Sequence, residues 1–241
     1  MTEAIVIENL TKYYNKFLAL KGLSLSVAAN ENVGLLGPNG AGKSTTLKIL
    51  CGLLRASSGK AYIDGVNVAE NPYQALARIG AIVEVAEFYS FLTPEETLSY
   101  LGRLRGMGGD KLKSRIKEVI KQVRLEDWSR VKIEKFSRGM KQRLALAQTL
   151  LHDPPVLILD EPGLGLDPRG LVEFRGIIEK AGQEKTVFFA SHQLNEVTQI
   201  CNKVAIVDHG QLLAYDSIAA LEKKYKSLEG AYLELTEAPL E

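Results

Sequence analysis

Cysteine is scarce: Cys51 and Cys201 are the only two in 241 residues. Two isolated cysteines make no disulfide framework, and their spacing fits no metal or redox motif. They read as small buried hydrophobes of a reducing compartment. An excess of one charge is missing as well. Thirty basic residues face twenty-nine acidic ones, a net charge of +1, which gives no electrostatic case for nucleic acid. No stretch approaches the ~20 consecutive apolar residues that cross a bilayer, and the N-terminus lacks a signal-peptide core. The chain alone is therefore expected to be soluble, and action at a membrane would need another chain to supply the pore. Apolar residues, by contrast, make up 46% of the sequence, enough for one substantial core. Length alone permits one large domain or two small ones.

Short apolar runs alternate with helical periodicity. Ile5–Ile7 and Leu23–Val27 read as strands, the second with the alternation of a half-buried one. Val33–Leu36 is an apolar strand that runs into a glycine-rich loop. A helix is predicted from Ser44 to Leu54, with Leu47, Leu50 and Leu54 on one face and Ile49 and Leu53 widening it. Ala61–Ile63, Ile79–Val83, Val156–Leu159, Thr186–Ala190 and Val204–Val207 are further strands. Pro94–Leu151 is helical with a break at Gly106–Gly109. Such alternation indicates an α/β fold with a parallel sheet and crossover helices, and the helical stretch is an insert between two parts of that sheet. No internal repeat or low-complexity segment occurs, which excludes tandem copies of one unit.

Gly37-Pro38-Asn39-Gly40-Ala41-Gly42-Lys43-Ser44-Thr45 lies between a strand and a helix and contains G-x-x-x-x-G-K-[ST]. Glycines let the backbone curl so that successive N–H groups point at phosphate oxygens, and the helix N-terminus adds its positive end. Lys43 is placed to reach the β- and γ-phosphates, and Ser44 to ligate Mg²⁺ through its hydroxyl. The strand Val156–Leu159 puts Asp160 at its carboxyl end, where ligands of parallel sheets gather. Asp160 suits Mg²⁺, and Glu161 next to it suits a general base acting on water. On their own, adjacent carboxylates after an apolar run read equally well as a solvated turn. The P-loop upstream is what favours the chemical reading.

With Phe136-Ser137-Arg138-Gly139-Met140-Lys141-Gln142 ahead of the Asp160–Glu161 strand, the chain resembles the nucleotide-binding subunit of an ATP-binding cassette (ABC) transporter. The match covers nearly the whole chain. It implies a P-loop NTPase core with a parallel sheet, an N-terminal antiparallel β subdomain and an inserted helical signature subdomain at about 90–151, within one nucleotide-binding domain over 1–241. The substrate implied is ATP with Mg²⁺. By the resemblance Tyr14 stacks on adenine, with Tyr13 one register away. His192, at the end of another strand, contacts the γ-phosphate. Ser137 and Gly139 meet the γ-phosphate held by a facing subunit, so a second nucleotide-binding subunit, the same chain or a different one, is implied in the ATP-bound state. Taken without its neighbours, Ser137 is a plain helix N-cap. Asp167 falls in the loop that crosses the dimer interface.

Two departures from the family pattern stand out. Arg138 replaces a glycine and either strengthens an anion contact or faces solvent. Glu84 occupies the place of a glutamine that senses Mg²⁺ and the membrane partner, and its oxygen is suited to a hard cation. Glu84, the Ser-Arg-Gly-Met-Lys-Gln segment and Leu228–Thr236 resemble the subset that exports bacitracin, lantibiotics and drugs. The expected function is ATP hydrolysis that drives a separate transmembrane permease, with the chain at the cytoplasmic face of the membrane. The rival is a soluble cassette ATPase serving as an assembly or scaffold factor, as in iron–sulfur cluster building. His152 and His209 read as surface residues. The basic excess between Arg103 and Arg124 reads as a solvated helical face, with anionic lipid as the alternative.

Overall fold

The computed structural model describes residues 2–237; residue 1 and residues 238–241, the ends of the expected 1–241 unit, lie outside the described residues. The chain opens with β1 (Glu3–Tyr14) and β2 (Phe17–Ala28), an antiparallel pair closed by Asn15-Lys16. Asn15 sits at φ +53°, a left-handed position that asparagine tolerates. Next come β3 (Asn32–Leu36), α1 (Lys43–Leu50), β4 (Ser58–Ile63), β5 (Val66–Asn67) and α2 (Pro72–Leu76). β4 and β5 join the first pair in an antiparallel sheet of order β2-β1-β4-β5.

β6 (Ile79–Ile82) belongs to a second sheet, and the chain leaves it at once for three helices: α3 (Pro94–Leu104), α4 (Gly109–Gln122) and α5 (Arg138–Leu150). Thr93 and Glu96 start α3 with reciprocal hydrogen bonds between side chain and backbone, a capping box. Gly106 at φ +76° and Gly109 at φ +61° separate α3 from α4. The chain returns to the sheet as β7 (Val156–Asp160), then runs through α6 (Pro168–Ala181), β8 (Thr186–Ser191), α7 (Leu194–Ile200), β9 (Lys203–Asp208), β10 (Gln211–Ser217), α8 (Ile218–Tyr225) and α9 (Leu228–Glu237). The sheet order is β10-β9-β3-β8-β7-β6, parallel throughout except for the antiparallel edge strand β10.

Because side chains alternate along a strand, each face of this sheet builds its own core. Val156 and Ile158 of β7, with Phe188 and Ala190 of β8, pack toward α1 and the antiparallel sheet. Leu157 and Leu159, with Val187 and Phe189, pack toward α5, α6 and the inserted helices. Phe174, Phe188 and Phe189 are almost fully buried, each contributing about 1.5–3 kcal/mol. Cys51 and Cys201 are free and buried, and burial pushes the Cys51 thiol up to about 12. Among the described residues no helix is long and apolar enough to cross a membrane.

Four details differ from the expectations. α1 stops at Leu50 rather than Leu54, because Cys51 caps it and Gly52 turns left-handed at φ +66°. Leu53 is accordingly 67% exposed instead of sharing the apolar face. β10 was not expected, since its residues are nearly all half-buried and show no two-residue period. His152 is partly buried rather than a surface residue, with Nε2 donating to the Ile79 carbonyl at 2.9 Å, whereas His209 is exposed.

Burial, reinforced by the Arg105 charge, lowers the His152 pKa to about 4. A histidine whose folded pKa lies below its unfolded value of about 6.5 resists protonation only while folded. Its contribution is present above about pH 6.5 and is lost as pH falls toward 4. Urea unfolding of His152→Gln, compared with the unsubstituted chain at pH 7.5 and pH 4.5, should remove about 2 kcal/mol of acid destabilisation.

Candidate functional site

The parallel register brings three loops to one edge of the sheet. Leu36 of β3 pairs with Ser191 of β8, and Asp160 of β7 pairs with Ala190. The residues that follow these strand ends, Gly37, His192 and Glu161, therefore emerge side by side.

The loop from Gly37 to Gly42 is bent by Gly40 at φ +87° and Gly42 at φ +99°. Ala41 N–H closes a turn on the Pro38 carbonyl at 3.2 Å. Lys43 is 5% exposed and folds back into the loop, its ammonium donating to the Gly37 carbonyl at 2.7 Å and to Pro38 at 3.0 Å. Burial lowers its pKa, and the charges of Glu161 and Asp160 oppose that shift. A cavity of about 220 Å³ lies over the loop, lined by Asn39, Gly40, Gly42, Lys43, Ser44, Thr45, Glu161 and Tyr14. Tyr14, 44% exposed, is the tyrosine that faces this cavity; Tyr13 is absent from its lining, and its N–H bonds to Ser57 Oγ. Phe17 and Ala19 also line it.

Asp160 is 8% exposed, and its Oδ1 is buried with no hydrogen-bond partner. Burial pushes its carboxyl above the usual range, while the neighbouring Ser44 hydroxyl works the other way. Ser44, Asp160, Glu161 and Glu84 line a second cavity of about 250 Å³. An unpartnered carboxylate oxygen beside a hydroxyl fits Mg²⁺, which takes few protein ligands and keeps waters and phosphate oxygens. Among the described residues no group of three or more His, Cys, Asp or Glu is gathered for a metal. Glu84 faces the same cavity at φ +67°, and its carboxylate is held by Lys48 at 2.5 Å.

Glu161 stands at φ +42°, its N–H held by the Ala190 carbonyl at 2.9 Å. Its carboxylate meets His192 Nδ1 at 2.7–2.8 Å. The turn that carries His192 is pinned by the buried Ser191 hydroxyl, which donates to Glu196 at 2.8 Å and accepts the Gln193 N–H at 3.0 Å. Asp160, Glu161, His192, Lys43 and Ser44 thus come together. Ser137 and Gly139 do not join them: Ser137 caps α5 through the Met140 N–H at 3.2 Å, and Gly139 lies against Leu166. Asp167 caps α6 through Gly170.

Sequence reasoning missed two supports of the cradle. Phe17 pairs with Tyr14 across the β1–β2 turn, a neighbour that the turn residues Asn15-Lys16 could have signalled. Gly210, in the turn between β9 and β10, donates to the Ala41 carbonyl at 3.1 Å and accepts the Lys21 N–H at 2.8 Å. It has φ +77°, and a Cβ there would lie 2.6 Å from the Ala19 carbonyl. Gly210→Ala is expected to destabilise the fold by about 2 kcal/mol, read as a lower urea midpoint, and to weaken nucleotide binding in parallel.

The family described as ABC transporter matches residues 20–163, from within β2 to just past Glu161. The bacitracin transport ATP-binding protein BcrA of Bacillus licheniformis is 40% identical over 93% of this chain and 74% of its own length. The linearmycin resistance ATP-binding protein LnrL of Bacillus subtilis is 36% identical over 86% and 67%. A solved ATP-binding subunit of an ABC transporter superposes with a TM-score of 0.86 at 28% identity, covering 96% of this chain and 99% of that one. A dimeric ATP-binding cassette in a post-hydrolysis state with ADP and Pi superposes with a TM-score of 0.79 at 25% identity, covering 88% and 98%. The phosphate cradle at the edge of a parallel sheet and the family match that spans it lead to one conclusion: this chain belongs to the ABC transporter family, as an ATP-binding and ATP-hydrolysing subunit.

Proposed function

We propose that the chain powers a separate transmembrane permease that exports a drug, a peptide antibiotic or a similar compound, and that it works at the cytoplasmic face of the membrane. The observation that carries the chemical part is the Glu161–His192 contact at the mouth of the cradle, at 2.7–2.8 Å. Glu161 is the general base for water, and His192 orients it and contacts the γ-phosphate. Lys43 exchanges the Gly37 and Pro38 carbonyls for β- and γ-phosphate oxygens. Loop N–H groups from Gly37 to Thr45 complete the cradle, and Tyr14 stacks on the adenine. Ser44 and Asp160 hold Mg²⁺, with Glu84 a further oxygen once it leaves Lys48. The ion, when bound, neutralises charge developing on the phosphates.

Ser137 and Gly139 lie outside their own cradle and complete the site of a second nucleotide-binding subunit, identical or different. The likeness to a dimeric cassette supports this reading. The residues after Glu84 support a permease partner: Val85, Tyr89 and Phe91 are 75%, 61% and 62% exposed, large apolar side chains left uncovered in one short loop. The transporter names of the relatives favour this reading over an assembly factor. We further propose that residues 1–241 form one nucleotide-binding domain, with α3–α5 as its inserted helical part.

Lys43→Ala and Glu161→Gln are each expected to lower magnesium-dependent ATP hydrolysis at least a hundredfold in a phosphate-release assay. Unchanged turnover by Glu161→Gln would sink its assignment as base. With Mg-ATP, the Glu161→Gln protein should roughly double in mass by light scattering; a persistent monomer removes the trans-acting role of Ser137 and Gly139. Affinity purification from gently solubilised native cells is expected to bring down a polytopic membrane protein. Recovery of soluble partners alone would return the assembly-factor reading.

A further inference from the structure

We infer that Gln142 is a positioning residue for Glu161, through which the signature helix α5 holds the chain's own catalytic loop in register. This rests on Glu161 being the base. Arg138 and Gln142 are four residues apart on α5 and so share one face. Both reach the loop that follows Glu161. Gln142 Nε2 donates to the Pro162 carbonyl at 2.6 Å. The Arg138 guanidinium lies over Gly165, in the space that a Cβ there would take.

The loop needs such a hold. Glu161 is a non-glycine residue at φ +42°, a left-handed conformation that costs of order 1–3 kcal/mol and persists only where the surroundings impose it. Three ties act on Glu161 from the core or from the loop itself. Its N–H donates to Ala190, its carbonyl accepts the Leu164 N–H at 3.0 Å, and its carboxylate meets His192. Pro162 has a ring-fixed φ, so its ψ is the one soft dihedral between the peptide plane that Gln142 holds and the Glu161–Pro162 peptide. The Gln142 bond fixes that plane from the other side, and it comes from the inserted helices rather than from the sheet. A carboxylate shift of about 1 Å is enough to cost of order a hundredfold in rate. Gln142 therefore sets the aim of the base through the Pro162 carbonyl, from the wall of the cavity that it shares with Ser44, Asp160 and Glu161.

The helix that bears this tie begins at Ser137–Gly139, the segment assigned to a partner's nucleotide. A displacement of α5 when that nucleotide binds is carried through Gln142 to the chain's own Glu161. Neither Gln142 nor Arg138 has to move far, because each already touches the loop.

The test is Gln142→Met, which keeps length and removes the donor, together with Gln142→Glu, which can only accept. The expected result for both is a kcat at least tenfold lower, with affinity for a fluorescent ATP analogue within twofold of the unsubstituted chain. The Gln142→Met/Glu161→Gln protein should still double in mass with Mg-ATP. A folded variant of either kind with unchanged kcat overturns the inference. So does a fall in nucleotide affinity or in ATP-driven association that parallels kcat, since that would mean a purely structural or trans-acting role. Normal turnover by Glu161→Gln is a separate outcome: it removes the base, not the tie.

Discussion

The parallel hydrogen-bonded register of β3, β8 and β7 is the constraint on which the chemistry depends. Opposite Leu36 stands Ser191, and opposite Ala190 stands Asp160. A two-residue slip of β8 would carry His192 about 7 Å from Glu161. A one-residue slip would turn Phe188 and Phe189, both almost fully buried, to opposite faces. The two cores thus fix the register, and the register fixes the distances among Lys43, Asp160, Glu161 and His192. Packing on both faces of one sheet sets the geometry at its edge.

Much of this was legible because sequence and geometry coincide at the ends of apolar strands. Val33–Leu36, Val156–Leu159 and Thr186–Ala190 are short, apolar and strand-like; the first runs into the glycine-rich loop, and the other two are followed at once by polar residues. The α/β class, the parallel sheet and the chain's membership of its family followed from that pattern and the signature segment. Other features were hidden for physical reasons. β10 has no alternation, since it is half-buried along almost its whole length. Gly210 works only through its backbone, and one glycine in a turn looks like any other. Gln142 acts on a carbonyl twenty residues away, across two elements. Lys48 finds Glu84 through the fold, and no local spacing announces the pair.

The two departures from the family pattern take on distinct physical meanings. Arg138 is exposed and lines the cavity that holds Asp160 and Glu161, and its guanidinium lies on Gly165, a glycine at φ +75° with no side chain to obstruct it. The substitution at position 138 and the bare backbone at position 165 form one fitted contact. Glu84 carries a charge where the family has a neutral amide, and Lys48, one turn along α1 from Ser44, balances it at 2.5 Å. The pair is largely exposed, so its worth to stability is small. What Lys48 does is compensate the Glu84 charge in the cavity that Glu84 shares with Asp160, whose own ionisation burial already opposes.

The position of Lys43 has a thermodynamic consequence. Its ammonium is stripped of most of its water as the chain folds, with two carbonyl oxygens in place of the lost hydration. An arriving triphosphate therefore meets a cation that needs little further drying, and the dehydration cost is borne by the fold instead of by the binding step. Affinity for nucleotide and stability of the empty subunit are coupled through one side chain: the empty fold carries a strain that the ligand relieves, and the chain is most at ease when loaded.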